Sequence, residues 1–159
     1  MLDSINKYLA RVKDNPILSA KQISFQTATT PTILFSHFAD KPWSMWLDSS
    51  NSEHIDSRFD IMVWQPIATL VTHGKNTKIC ISTKNVQLKQ SFTSTDDPLV
   101  LLEALQKKMF NPNTKPHNQL PFLGGALGYL SYDLGRRFEK IPRIAKQDIN
   151  LPEMAMGLY

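Results

Sequence analysis

At 159 residues and 42% hydrophobic content, the chain can bury one sizeable core, as one domain or as part of a larger one. Its formal charge of +4 is scattered, with no basic run longer than Lys107-Lys108 or Arg136-Arg137, which argues against a dedicated nucleic-acid surface. No apolar stretch approaches the ~20 residues of a spanning helix. The N-terminus lacks the apolar core of a signal peptide. A lone cysteine, Cys80, excludes an intrachain disulfide, so a cytoplasmic setting is expected.

Leu2, Ile5, Leu9 and Val12 fall at helical spacing and predict a short amphipathic helix ending by Asn15-Pro16. Lys21 to Ala28 alternates weakly and predicts a strand. Thr30-Pro31 opens a helix with Ile33, Leu34 and Phe38 on its apolar face, ended by Asp40-Lys41-Pro42. Trp43 to Asp48 and Ile61 to Trp64 are apolar, strand-like runs around the polar loop Ser49 to Asp56. Ile67 to Thr72, a turn at His73-Gly-Lys-Asn76, and Thr77 to Ser82 predict a hairpin. Within it, Cys80 between two isoleucines is expected to be a small buried hydrophobe. Val86, Leu88 and Phe92 suggest a further, more exposed strand, so the middle region predicts an antiparallel meander. Thr95-Asp-Asp-Pro98 starts a helix whose stripe is Leu101, Leu102, Leu105 and Met109. A polar loop follows from Asn111 to Gln119.

Four of the six glycines, Gly124, Gly125, Gly128 and Gly135, lie in the stretch Pro121 to Glu139. Glycine inside an apolar run calls for a positive φ, a bulge, or a backbone approaching too closely for a Cβ. Phe122 to Leu130 predicts a buried, bent strand. Asp133 to Glu139 predicts a short surface helix with its acid in the first turn and its arginines in the last. The final run, Leu151 to Tyr159, is apolar and strand-like and stops without a polar tail. That pattern predicts the front part of a longer polypeptide.

The catalytic constellations that leave a sequence signature are absent. His37, His54, His73 and His117 are dispersed, and no Gly-x-Ser-x-Gly or phosphate loop occurs. Asp96-Asp97 suit a helix dipole better than an acid–base pair. One candidate site remains. The strands around the polar loop can bring Ser49 together with Ser57, Arg58 and Phe59 at a sheet edge. Hydroxyls and backbone groups there would hold an amino acid, with Phe59 or Trp46 over an aromatic ring. The plainer alternative, favoured on residue types alone, makes Arg58 a structural ion-pair partner and the serines loop residues.

Two stretches together resemble a family. Leu120-Pro-Phe-Leu-Gly-Gly-Ala-Leu-Gly-Tyr-Leu-Ser-Tyr-Asp-Leu-Gly-Arg-Arg-Phe-Glu139 is similar to a signature of the chorismate-utilising enzymes, within them component I of aminodeoxychorismate synthase. Pro42 to Asp60, Ser94 to Leu99 and Gln147 to Gly157 match in order, so the resemblance covers about residues 23–159. It implies an α+β fold of mostly antiparallel sheet with flanking helices, part of a two-sheet sandwich. Residues 1–20 would be an N-terminal helical extension and residues 21–159 an N-terminal domain that stops before the chorismate-binding part. The implied reaction exchanges the chorismate 4-hydroxyl for an amino group on the way to p-aminobenzoate and folate. Ammonia would come from a glutamine amidotransferase subunit.

By the same resemblance, the Mg²⁺ ligands and the chorismate-activating groups lie outside this chain. It is therefore assigned no catalytic or metal residue of its own and is expected to be inactive alone. Ser49, Asp56, Ser57, Arg58 and Phe59 match positions of a tryptophan pocket. They depart from it in Asp48, where feedback-sensitive relatives carry glutamate, and in Asp56, where an aromatic residue is found. Anthranilate synthase component I is the sibling alternative. A stand-alone module that binds an amino acid or a partner is the alternative from another class. An exposed sheet edge or face would favour a homodimer of the isolated chain.

Overall fold

The computed structural model describes residues 30–50, 53–55, 57–83, 86–110, 120–142, 144 and 149–159, with backbone alone at 83 and 86–90. The predicted helix over residues 2–12, the strand over 21–28 and the loop over 111–119 lie outside the described residues.

Among the described residues the fold is α+β, with two antiparallel sheets. The larger has five strands: β3 (Ala68–His73), β4 (Asn76–Thr83), β5 (Val86–Ser94), β6 (Ala126–Leu130) and β7 (Met154–Leu158). Their order is β5-β4-β3-β7-β6, so the strand that comes last in sequence lies between two earlier ones. The smaller sheet is a ribbon of β1 (Met45–Leu47) and β2 (Ile61–Val63). The predicted continuous meander is therefore divided. β3, β4 and β5 form one, but among the described residues β1 and β2 pair only with each other. The break is chemical. Gln65 sits at a φ of 51° and Pro66 brings no N–H, so β2 cannot run on into β3.

Side-chain alternation builds the core. Ala68 and Leu70 of β3, Ile79 and Ile81 of β4, Phe92 of β5, and Met154 and Leu158 of β7 face one side. α2 (Pro98–Met109) covers that side with Leu101, Leu105 and Met109. These residues recur every fourth position, one stripe of a helix. Its start is capped by Asp97: the carboxylate accepts from the amides of Leu99 and Val100 at 2.8 and 3.3 Å. Phe92 is buried, although its strand is an edge strand expected to be more exposed. Cys80 corrects an expectation too. It alternates with Ile79 and Ile81, so it points to the other face, half-buried, with its Sγ 3.5 Å from Ser91 Oγ.

The turn between β3 and β4 is Gly74-Lys75, with Gly74 at a φ of +54°. Thr72 and Thr77 face each other across it, fully buried, with their hydroxyls 3.0 Å apart. Two distant charges hold its backbone. Glu153 accepts from the Gly74 amide at 2.9 Å, and Arg137 donates to the Gly74 carbonyl.

The glycine stretch is shorter and more exposed than predicted. Only Ala126–Leu130 is strand, and Gly128, Tyr129 and Leu130 are exposed. The reason is position: among the described residues β6 pairs with β7 alone, at the edge of the sheet. Gly124 and Gly125, at φ 133° and 144°, bring the chain into that edge. The Gly125 and Tyr159 backbones then exchange hydrogen bonds of 3.1 and 2.9 Å, extending the β6–β7 ladder. The segment after Ser131 is a 3₁₀ helix, Tyr132–Arg137, and its Leu134 is buried. The expected charge arrangement is present within it, as Arg136 Nε donates to Asp133 at 2.7 Å.

Candidate functional site

The candidate site is the open end of the β1–β2 ribbon. Its register, Met45↔Val63, Trp46↔Met62 and Leu47↔Ile61, carries the chain out to Asp48 and Ser49 on one side and to Phe59 and Asp60 on the other. The strand–loop–strand prediction holds in this respect: Ser49 and the Arg58–Phe59 segment leave the ribbon at the same end. Asp60 Oδ1 accepts from the Ser49 amide at 3.0 Å and from the Ser49 hydroxyl at 3.3 Å. Asp48 Oδ1 accepts from the Ser50 amide at 2.8 Å, closing a tight turn in which Ser50 has a φ of 60°. Such backbone costs about 1–2 kcal/mol outside glycine, so the turn is held against its own preference.

The Arg58 guanidinium carbon lies 5.2 Å from the centre of the Phe59 ring, a cation–π distance. The Ser57 amide donates to the His54 carbonyl at 2.9 Å, which turns the chain into this segment. Asp56 lies outside the described residues. The other aromatic considered as a cover, Trp46, is engaged elsewhere. Its ring lies 5.5 Å from Phe35 of α1 (Pro31–Ser36), and Phe38 stacks on Trp64 at 4.0 Å. Phe59 is thus the aromatic residue left at the ribbon end. Among the described residues, the buried Ser44 Oγ, just before β1, and Trp46 Nε1 of β1 have no hydrogen-bond partner.

The ribbon is tied to the large sheet at its other end. The tie is the Tyr159 hydroxyl, which donates to the Trp43 carbonyl at 2.8 Å; beside it the Gln65 amide donates to the Pro42 carbonyl at 2.9 Å and closes the ribbon's own flanks. Burial pushes the Tyr159 phenol up to about 12. Asp60 is the residue that sequence reasoning missed. A carboxylate one step before a strand looks like a solvated flank. The available signal was its place across the ribbon from Asp48 and Ser49.

The site holds one cation, carboxylates, a hydroxyl and a ring, which suits binding rather than bond making. Among the described residues, no three His, Cys, Asp or Glu side chains converge as a metal site would require. No helix among them is long and apolar enough to cross a membrane.

No family model matches the chain. It is 50% identical over 127 residues to aminodeoxychorismate synthase component 1 of Escherichia coli (strain K12), a match covering 79% of this chain and 26% of that protein. The chain is a homologue of aminodeoxychorismate synthase component 1. The same-named protein of Salmonella typhimurium is 44% identical over 119 residues, 74% of this chain and 24% of the relative. Anthranilate synthase component 1 of Acetivibrio thermocellus is more distant, at 27% over 141 residues, 89% of this chain and 27% of the relative. Anthranilate synthase component I from Streptococcus pneumoniae TIGR4, a solved structure, superposes with a TM-score of 0.47 at 23% identity, covering 89% of this chain and 28% of that one. The chain spans about a quarter of the length of the component 1 proteins it matches.

Proposed function

We propose that the chain is the N-terminal part of an aminodeoxychorismate synthase component 1. As a whole, that protein would exchange the 4-hydroxyl of chorismate for an amino group, toward p-aminobenzoate and folate. The observation that carries this reading is the 50% identity to the E. coli aminodeoxychorismate synthase, against 27% and 31% over comparable lengths to two anthranilate synthases. Residues 21–159 would form the domain, and residues 1–20 a helical extension. Ammonia would be supplied by a glutamine amidotransferase subunit. Chorismate activation and Mg²⁺ would belong to a part of the enzyme outside this chain. This chain's contribution would be the five-stranded sheet and the ribbon-end site, where Ser49 and Asp56–Phe59 would take tryptophan.

The test is an assay of the complete polypeptide encoded by the gene, given chorismate, Mg²⁺ and ammonium. The expected product is 4-amino-4-deoxychorismate, read by mass spectrometry. The 159 residues alone are expected to yield none. Anthranilate as the product would move the protein to the sibling branch. Turnover by the isolated 159 residues would overturn the division of labour.

A further inference from the structure

We propose that the β1–β2 ribbon and α1 form a lobe that swings against the five-stranded sheet, with Gln65 as its hinge and the Tyr159 hydroxyl as its latch. The lobe has an apolar interior of its own. Trp46 meets Phe35, Trp64 stacks on Phe38, and Val63 is buried. Among the described residues, the core cluster of the large sheet draws on β3, β4, β5, β7, α2 and Leu134, and on no residue of the lobe. Two apolar clusters that do not merge can part without either losing its packing.

The connection from lobe to sheet is short and strained. β2 ends at Val63, and the Ile67 amide already donates to the Leu158 carbonyl of β7 at 2.7 Å, so the chain crosses within Trp64–Pro66. Gln65 stands there, exposed, at a φ of 51°, and Trp43 at the start of the ribbon is at 60°. A positive φ is unfavourable for an L-residue, most of all a bulky one. It persists where the surroundings hold it, and it marks switch regions. Tyr159 supplies the hold. Its hydroxyl donates to the Trp43 carbonyl at 2.8 Å, and its ring lies against Gly157, where a Cβ would stand 2.7 Å from it. The missing side chain of Gly157 is what lets the ring reach back to the ribbon. Opening breaks that one hydrogen bond and frees Gln65 to return to a negative φ.

The test is hydrogen exchange read by mass spectrometry on the complete encoded polypeptide. In wild type the amides of residues 45–47 and 61–65 are expected to exchange as a group ahead of those of β3 and β4, with a weaker dependence on urea. Tyr159→Phe keeps the ring and removes the donor. Gly157→Ala keeps the hydroxyl and pushes the ring aside. Each is expected to speed the lobe group about fivefold or more, as the loss of one hydrogen bond would. Gln65→Gly removes the cost of the positive φ and is expected to slow the lobe group roughly threefold or more. Lobe and sheet amides that exchange together in wild type, with the same urea dependence, would overturn the proposal. Unchanged lobe exchange in either Y159F or G157A would overturn the latch, and unchanged exchange in Q65G would overturn the hinge.

Discussion

Gly128 and Gly74 are glycine for different reasons, and the difference can be measured. A Cβ at Gly128 would lie 2.0 Å from the Ala155 carbonyl oxygen and 2.8 Å from Met156 Cα, both backbone atoms of β7. No side chain can move aside there; the strands themselves must separate. At Gly74 nothing lies within 4 Å, and the demand is only the φ of +54°. Gly128→Ala is therefore expected to cost ~3 kcal/mol, at the upper end for overpacking. Gly74→Ala should cost ~1 kcal/mol through its backbone alone. Urea midpoints of the two variants check the ranking, and equal losses would contradict the close-approach account. Sequence alone offered positive φ, bulge and close approach as alternatives for the glycine cluster. Gly124 and Gly125 take the first and Gly128 the last, a distinction that depends on which strand lies alongside.

At the scale of elements, local chemistry was legible and neighbour identity was not. The sequence Asp96-Asp97-Pro98 with Leu101, Leu105 and Met109 is enough to start α2 and choose its buried face, because both signals lie within a few residues. Asp97→Ala is expected to cost about 1 kcal/mol, with Asp97→Asn restoring most of it, since asparagine caps as well as aspartate. Thermal unfolding of the two variants decides it. If alanine and asparagine cost the same, the bonds to Leu99 and Val100 are not what stabilises the helix start. The β3–β4 hairpin was equally legible from Gly74 and the alternation on either side. β6 was not, because an apolar run has the same composition in a sheet centre and at a sheet edge. The Glu153 and Arg137 contacts to Gly74 were hidden for a similar reason: they join residues far apart in sequence. The ribbon-end site stands between these cases. Its strand–loop–strand frame placed Ser49 and Arg58–Phe59 together, whereas the role of Asp60 depends on a register that sequence does not print.

The large sheet depends on residues 154–159. β7 hydrogen-bonds to β3 on one side and to β6 on the other, and Tyr159 then reaches the ribbon through the Trp43 carbonyl. The two sheets are thus joined through a phenol that must stay protonated to donate. Burial raises its pKa from 10.0 to about 12, so folding favours the protonated form. The sign follows from linkage. Below pH 10 the phenol is neutral in both folded and unfolded chains, and its contribution to stability is fully present. As the pH rises from 10 toward 12, the unfolded chain releases the proton first and that contribution is lost. Tyr159→Phe cannot ionise and lacks the bond. It should be less stable than wild type at pH 8, and the gap should narrow between pH 10 and 12. Comparing the two proteins cancels every group they share. Urea midpoints at pH 8, 10, 11 and 12 measure the gap. A gap that stays constant across that window would show that the hydroxyl is solvated and that the link between ribbon and sheet does not run through it.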